Sequence, residues 1–280
     1  MRIKITMNFI LRAALLAAFM TFPAASALAL PNPAEIIAAK DGSIKITPIF
    51  HAALQIEYND LVFQIDPFGS GDYTGARKAD YILVTHTHPD HLDAKTIRKL
   101  INVESFGTTI FCPKAVAIQL KPLEAEFDDQ VKVQIIKDED GFWAGNHGGV
   151  DWELTGVPSY NIVRGPKPDQ KFHPKGQFNG YILELGGKRI YIAGDTEATP
   201  EMKALENIDI AFLPMNLPYT MTPTEAADAA KAFKPKIVYP YHYRYPFDKT
   251  NDNPQVFQKA LTGSGIQVRL RGWYAHPAPK

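Results

Sequence analysis

Apolar positions along the chain fall into two rhythms, short runs of β-rich composition and longer stretches spaced for one face of a helix. Ile44 to Phe50, Ala53 to Tyr58 and Leu61 to Ile65 read as strands. Asn59-Asp60, between the last two, predicts a tight hairpin, because both residue types tolerate a left-handed turn. Pro48 has no N–H to give to a ladder, so the first run is expected at a sheet edge or split. Tyr181 to Leu185 and Arg189 to Ala193 flank Gly186-Gly187 as a second hairpin. Further strands are expected at Tyr81 to Thr85, Val131 to Ile136, Trp152 to Val157, Ile210 to Leu213, Ile237 to Tyr239 and Ile266 to Leu270. Helices are announced by their starts. Thr222-Pro223-Thr224-Glu225 combines a threonine cap, a proline at the first helical position and a glutamate placed to close a capping box, ahead of an alanine-rich run to Phe233. Thr199-Pro200 and Asn253-Pro254 repeat the cap-then-proline signal, and Asp93 can open a helix with Ile97, Leu100 and Ile101 on one face. There is no internal repeat and no low-complexity linker. The longest aperiodic stretch is Tyr160 to Phe178, and loops of that length in compact domains are usually functional or mobile.

Composition narrows the class. With 280 residues, 45% hydrophobic and 21% charged, the chain is a folded globular protein rather than a disordered, collagen-like or disulfide-stapled one. Lys and Arg number 30 and Asp and Glu 30, so no bulk charge draws it to nucleic acid, an acidic membrane surface or a polyanion. Residues 1–29 are an exception, carrying Arg2, Lys4 and Arg12 and no acid, then an apolar stretch from Ala13 to Phe22, then Ala27-Leu28-Ala29. This order predicts a signal peptide over 1–29 and a single mature domain over 30–280, periplasmic or secreted, with 27 bases left against 30 acids. Pro23 interrupts the apolar run, which is too short for stable membrane insertion. Cys112, alone, cannot form an internal disulfide and reads as a small buried apolar residue at a strand end.

The candidate chemistry lies in Tyr81-Ile82-Leu83-Val84-Thr85-His86-Thr87-His88-Pro89-Asp90-His91-Leu92-Asp93. An apolar strand runs into three histidines and an aspartate, with a helix start behind them. Imidazole nitrogens and a carboxylate suit zinc, manganese or iron, and a stiff strand end can hold them in fixed geometry. Desolvating four titratable groups together is costly, and metal binding offsets that cost.

This stretch resembles the His-x-His-x-Asp-His signature of the metallo-β-lactamase fold hydrolases. The likeness continues with Asp66-Pro67 after Leu61 to Ile65, Gly194-Asp195-Thr196 after Arg189 to Ala193, and Pro240-Tyr241-His242 after Ile237 to Tyr239. Within that superfamily the chain is most similar to the branch containing ascorbate-phosphate lactonase and uncharacterised zinc-dependent hydrolases, through Val157-Pro158-Ser159-Tyr160-Asn161, His173-Pro174-Lys175-Gly176 and the Asp195-Thr196 pair. The resemblance implies an α+β fold, a four-layer αββα sandwich. It implies two divalent metal ions, zinc with manganese or iron as alternatives. His86 and His88 would hold the first, Asp90 and His91 the second, Asp195 would bridge them and His242 would complete the second site, with Asp66 behind the ligands. Most members supply a further first-site histidine from a Gly-His-Thr-Pro-Gly-like turn, which this chain lacks. His173 and His147 are the histidines in that interval. His173 is preferred, because it lies in the long loop just before a strand. His147, in Gly145-Asn146-His147-Gly148-Gly149, reads as a solvent-facing turn residue, and a first site completed by neither stays open.

The implied function is metal-dependent hydrolysis of an ester, lactone or phosphodiester-type small molecule by a metal-bound hydroxide that Asp90 orients, with no separate serine or cysteine nucleophile. The competing class is an exported, non-catalytic metal- or ligand-binding protein of the same fold. An iron-based redox site of this fold would need a flavin partner domain, for which 280 residues leave no room. Arg164, Lys167, Lys171 and Lys175 would suit an anionic group at the site mouth or form an ordinary solvated loop. Tyr160, Tyr219, Tyr241, Tyr243 and Tyr245 are candidate pocket aromatics. His51 precedes a strand where the related branch often has a Gly-His-Ala turn, and a role behind the ligands is open. His276 reads as solvated, in a proline-rich tail.

Overall fold

A computed structural model describes residues 33–104, 106–137, 141–245, 247 and 252–274. The leader over 1–29 and His276 lie outside the described residues. The first seven strands, β1 (Glu35–Ala39), β2 (Gly42–Phe50), β3 (Ala53–Tyr58), β4 (Leu61–Ile65), β5 (Tyr81–Leu83), β6 (Thr108–Cys112) and β7 (Val131–Ile135), form one sheet in chain order. The second sheet takes the next seven in order too: β8 (Phe142–His147), β9 (Val150–Pro158), β10 (Asn179–Leu185), β11 (Lys188–Ile192), β12 (Ile210–Pro214), β13 (Ile237–Tyr241) and β14 (Gln267–Val268). Each sheet begins as an antiparallel meander and continues with parallel strands, from β4 onward in the first and from β11 onward in the second.

The inner parallel strands, such as β4, β11 and β12, are mostly buried on both faces, which is why they read as largely apolar runs. In β5, Leu83 faces the space between the sheets, where it joins Leu54, Phe63, Phe111, Tyr181, Leu183, Phe212 and Tyr239. Its neighbour Ile82 faces outward and packs under α1 (Ala94–Leu100) and α2 (Lys114–Phe127) with Ile97, Val116 and Leu120. The outer face of the second sheet is covered by α3 (Pro200–Lys203), α4 (Pro223–Phe233) and α5 (Pro254–Ala260), through Met202, Ala226, Ala230, Phe233 and Phe257. The result is the expected four-layer αββα sandwich. No helix among the described residues is long and apolar enough to cross a membrane.

Local chemistry accounts for most element boundaries. Asn59 and Asp60 both take positive φ, 45° and 69°, turning β3 into β4. The Thr222 side chain accepts from the Glu225 N–H while the Glu225 carboxylate accepts from the Thr222 N–H, which closes the capping box of α4. Pro48 sits inside β2, yet the register with β1 ends at Glu35 opposite Ile46, so Pro48 pairs with Leu54 of β3 beyond the last β1 partner. The edge is local to the residue rather than a property of the whole strand. Four elements are not drawn from sequence: β1; β6, of which only the strand end at Cys112 is expected; α2, whose N-cap is Pro113 with no side-chain cap and which contains Pro122; and β8, where Phe142 and Trp143 are exposed.

Candidate metal centre

The candidate donors sit at one end of the sandwich, where parallel strands of both sheets terminate. Asp66 follows β4, Thr85 to His91 follow β5, Asp195 follows β11, Asn216 follows β12 and His242 follows β13. His51 occupies the bend between β2 and β3, with a φ of 61°. A bend there lets a side chain reach in from a neighbouring strand pair, and the left-handed backbone costs a histidine more than it would a glycine.

Asp66 organises the β5 end. One carboxylate oxygen accepts the Thr85 N–H at 2.7 Å, and the other accepts the Thr85 hydroxyl at 2.8 Å and the Nδ1–H of His91 at 2.7 Å. The Thr85 hydroxyl has given its proton to Asp66, so its oxygen, 2.9 Å from His86 Nδ1, accepts from that nitrogen. On the long loop, Asn161 Oδ1 accepts both the His173 N–H at 2.9 Å and its Nδ1–H at 2.6 Å. Each of the three rings thereby has its Nδ1–H anchored and its Nε2 turned towards the same space, the orientation that ligation through Nε2 needs.

The donor atoms converge in overlapping groups, each mutually within 4.8 Å: His86, His88, His173 and Asp195; His91, Asp195 and His242; and His51, Asp90 and His242. Asp195 faces two ways. Its Oδ2 is 3.3 Å from His173 Nε2 and 3.9 Å from His86 Nε2, while Oδ1 is 3.4 Å from His91 Nε2 and 3.3 Å from His242 Nε2. Asp90 Oδ2 lies 3.5 Å from His242 Nε2 and 3.9 Å from His91 Nε2. The residues fit divalent ions. His173 Nε2 and Asp195 Oδ1 are buried without a hydrogen-bond partner among the described residues, positions that a cation would satisfy.

Electrostatics without an ion are correspondingly distorted. Burial, then the neighbouring His91, pushes His86 well below its usual range, and burial with His173 lowers His88. Burial also opposes charge on His91, but Asp195, Asp66 and Asp90 together push it up to about 9. Against the cost of burial, His242 and His91 hold the Asp195 carboxyl well below the carboxylate range, and His91, His242 and His51 do the same for Asp90. Such opposed shifts in one cleft mark a functional site.

The structure brings together His86, His88, Asp90, His91, His173, Asp195 and His242. His147 lies apart, in the β8–β9 hairpin against Phe106 and Tyr81. The cleft over the donors, about 250 Å³, is walled by Phe172, Tyr219 and Tyr245 and floored by His88, Asp90, Asp195, Asn216 and His242. The other tyrosines serve the scaffold: Tyr160 donates to Glu201, Tyr241 to no side chain but accepts the Gly194 N–H, and Tyr243 donates to the Arg271 carbonyl. Arg164, Lys167, Lys171 and Lys175 do not line the cleft, and three of them have partners elsewhere. Arg164 pairs with Glu197 and Glu225, Lys175 with Glu201, and Lys171 donates to the Val163 carbonyl. Asn161 and Asn216 were not singled out for a site role from sequence. Asn216 Nδ2 lies 3.2 Å from His242 Nδ1.

Comparison with known proteins agrees with this geometry. The model of the Beta-lactamase superfamily domain matches residues 62–243. A UPF0173 metal-dependent hydrolase of Anoxybacillus flavithermus is 32% identical over 243 residues, covering 81% of this chain and 97% of the relative. The counterpart from Methanopyrus kandleri is 28% identical over 239 residues, covering 81% and 95%. A crystal structure of a metal-dependent hydrolase from Parabacteroides distasonis superposes with a TM-score of 0.70 at 38% identity, covering 86% of this chain and 98% of that one. The metallo-beta-lactamase fold protein YhfI of Bacillus subtilis, at 15% identity and a TM-score of 0.58, covering 85% of this chain and 94% of that one, shares the fold.

Proposed function

We propose, from the premise that this chain belongs to the beta-lactamase superfamily and is a metal-dependent hydrolase, that it cleaves a small ester, lactone or phosphodiester-type molecule in the cleft between Tyr219 and Asp90. Two divalent ions, zinc by the predominance of imidazole donors, are assigned to the overlapping groups. His86, His88, His173 and Asp195 would hold the first, and Asp90, His91, His242 and Asp195 the second. Bound there, they would acidify water and polarise the bond under attack. The observation that carries the reading is Asp195, whose two oxygens face separate sets of imidazoles.

The chain's own residues do the remaining work. Asp66 and Asn161 hold His91 and His173 in their ligand tautomers. Asp90 is the one donor carboxylate with appreciable exposure, 22% of its side chain, so it can orient the attacking water. Phe172, Tyr219 and Tyr245 offer an apolar wall to the non-reacting part of the substrate.

The test is elemental analysis of protein purified without added metal, followed by a panel of ester, lactone, lactam and phosphodiester substrates. Expected are close to two ions per chain and turnover abolished by chelator and restored by zinc or manganese. Fully metallated protein that turns over nothing while binding one of these compounds tightly overturns the reading in favour of a binding protein. Export is proposed with it, supported by Arg2, Lys4, Arg12, the Ala13 to Phe22 run and Ala27-Leu28-Ala29. Protein from the native host is expected to begin near Leu30, and full-length chain in the cytoplasm with Met1 attached would refute it.

A further inference from the structure

His51 presents an ambiguity that the donor groups alone leave unresolved. Its Nε2 is 3.2 Å from Asp90 Oδ2, and its ring lies against His242 with centroids 3.7 Å apart, so by distance it can be either a metal ligand or a hydrogen-bond donor to Asp90. The other side of the ring decides between them. His51 Nδ1 is 2.7 Å from the hydroxyl of Tyr274, and that oxygen accepts the main-chain N–H of Tyr243 at 3.1 Å and of Arg244 at 3.0 Å.

A phenolic oxygen offers two acceptor positions and one proton. Both acceptor positions of Tyr274 are taken by main-chain donors. An Nδ1–H on His51 would meet an oxygen with no lone pair to spare, so the Tyr274 proton must go to His51 Nδ1. The imidazole proton is then on Nε2, where it points at Asp90. We infer that His51 is a positioning residue, locked by Tyr274 as the Nε2–H tautomer, which donates to Asp90 and holds that carboxylate for its work rather than binding metal itself. This is the reverse of the arrangement at His86, His91 and His173, where Nδ1–H is the anchored side of the ring and Nε2 faces the other donors.

The same contacts extend to the last ligand. The His51 carbonyl accepts the His242 N–H at 3.2 Å, and Tyr274 grips the two residues that follow His242. His51 and Tyr274 together set the orientation of Asp90 and the path of the chain through His242, from positions 223 residues apart.

What Asp90 is held for rests on the hydrolase reading, but the tautomer of His51 does not. Proton–nitrogen correlation spectra of protein labelled at its histidines, recorded without metal and again with cadmium as the probe ion, test the assignment. Expected is a protonated Nε2 and an unprotonated Nδ1 at His51 in both states, with no coupling to cadmium. An unprotonated Nε2 coupled to cadmium makes His51 a ligand and overturns the inference. Tyr274→Phe should let the proton redistribute between the two ring nitrogens, and an unchanged His51 spectrum in that variant would also sink it. For the consequence, His51→Leu should weaken the second ion by about 10- to 100-fold, the usual cost of losing a group that supports a ligand. His51→Gln, which keeps an N–H donor of similar reach, should recover most of that loss, and equal losses in both variants would exclude the donor role. Where substrate turnover is measurable, the loss should fall on kcat more than on KM. If wild type bound no ion at all while His51 kept its Nε2–H, the metal reading would fail and the tautomer lock would stand.

Discussion

Replacing Asn161 with alanine tests how the loop histidine is held. The side chain is 3% exposed and makes three hydrogen bonds: it accepts the His173 N–H at 2.9 Å and Nδ1–H at 2.6 Å, and donates to the Tyr219 carbonyl at 2.9 Å. At about 0.5–1.5 kcal/mol net for each, their loss should cost the metal-free fold about 3 kcal/mol. The main-chain bond from the Asn161 N–H to the His173 carbonyl, 2.8 Å, survives the substitution, so the loop should stay docked. What is lost is the restraint on the His173 ring. Its proton is then free to move to Nε2, and the affinity for the first ion should fall by about 10- to 100-fold. Urea unfolding of the metal-free protein gives the first quantity, and stepwise zinc titration against a competing chelator gives the second. Asn161→Asp keeps an acceptor at the same place and should keep the first ion. If Asn161→Ala bound both ions as wild type does, while being destabilised as expected, the restraint that Asn161 places on the His173 ring would have no part in holding the first ion.

Three further outcomes follow from the same structure. His91→Ala and His242→Ala should each lose the second ion before the first, read by metal content after dialysis; wild-type content in both would refute the ligand assignment. Asp195→Asn should reduce turnover far more than Cys112→Ser, and thiol reagents should leave the native enzyme active, since burial pushes the Cys112 thiol up to about 12 and away from a reactive thiolate. Glu197 is opposed by burial but held below the usual carboxylate range by the N–H groups of Val163, Arg164 and Ile162 and by the Arg164 guanidinium, so its stabilisation is present above the unfolded value of about 4.3 and is lost as pH falls through the lower folded value. Thermal unfolding of metal-free Glu197→Gln should therefore lose less stability than wild type between about pH 5 and pH 3, and parallel curves would show that the contact adds nothing.

Much of the fold is readable from sequence where strands are buried on both faces or turns have a single chemical solution, as at Asn59-Asp60 and the Thr222 capping box. The elements missed are those whose stability comes from contacts made elsewhere. Helix α2 contains Pro122 and starts at a proline, and packing of Val116, Leu120 and Leu123 under the first sheet carries it against those signals. All the candidate donors but His173 are legible because they follow apolar strands, with a motif dense enough in His86 to His91 to orient the search for Asp195 and His242. Of the groups that orient them, the resemblance places Asp66 behind the ligands and leaves His51 open, whereas Asn161 and Tyr274 carry no such signal. Asn161 reaches His173 across a loop, and His51 meets Tyr274 through a separation no local pattern records. Of the two readings left open for the basic 160–178 loop, pairing of Arg164 with Glu197 and Glu225 and of Lys175 with Glu201 could not be read locally, because those acids lie outside the loop.

The order of strands in the two sheets has a consequence for how the centre comes into being. Each sheet is made of consecutive strands, so a nascent chain can pair β1 to β7 before β8 to β14 exist. His86, His88, Asp90 and His91 arrive with the first set, whereas His173, Asp195 and His242 arrive with the second. During synthesis the early four have no counterpart across the seam, and the bridging carboxylate is added only after β11. The ion would then be captured late, as a latch joining two sheets that the chain made in succession, and its removal should loosen that end of the seam first. Amide exchange on chelation should accordingly rise at Thr85 and Asp195 before it rises at the hairpin ends carrying Asn59 and Gly186.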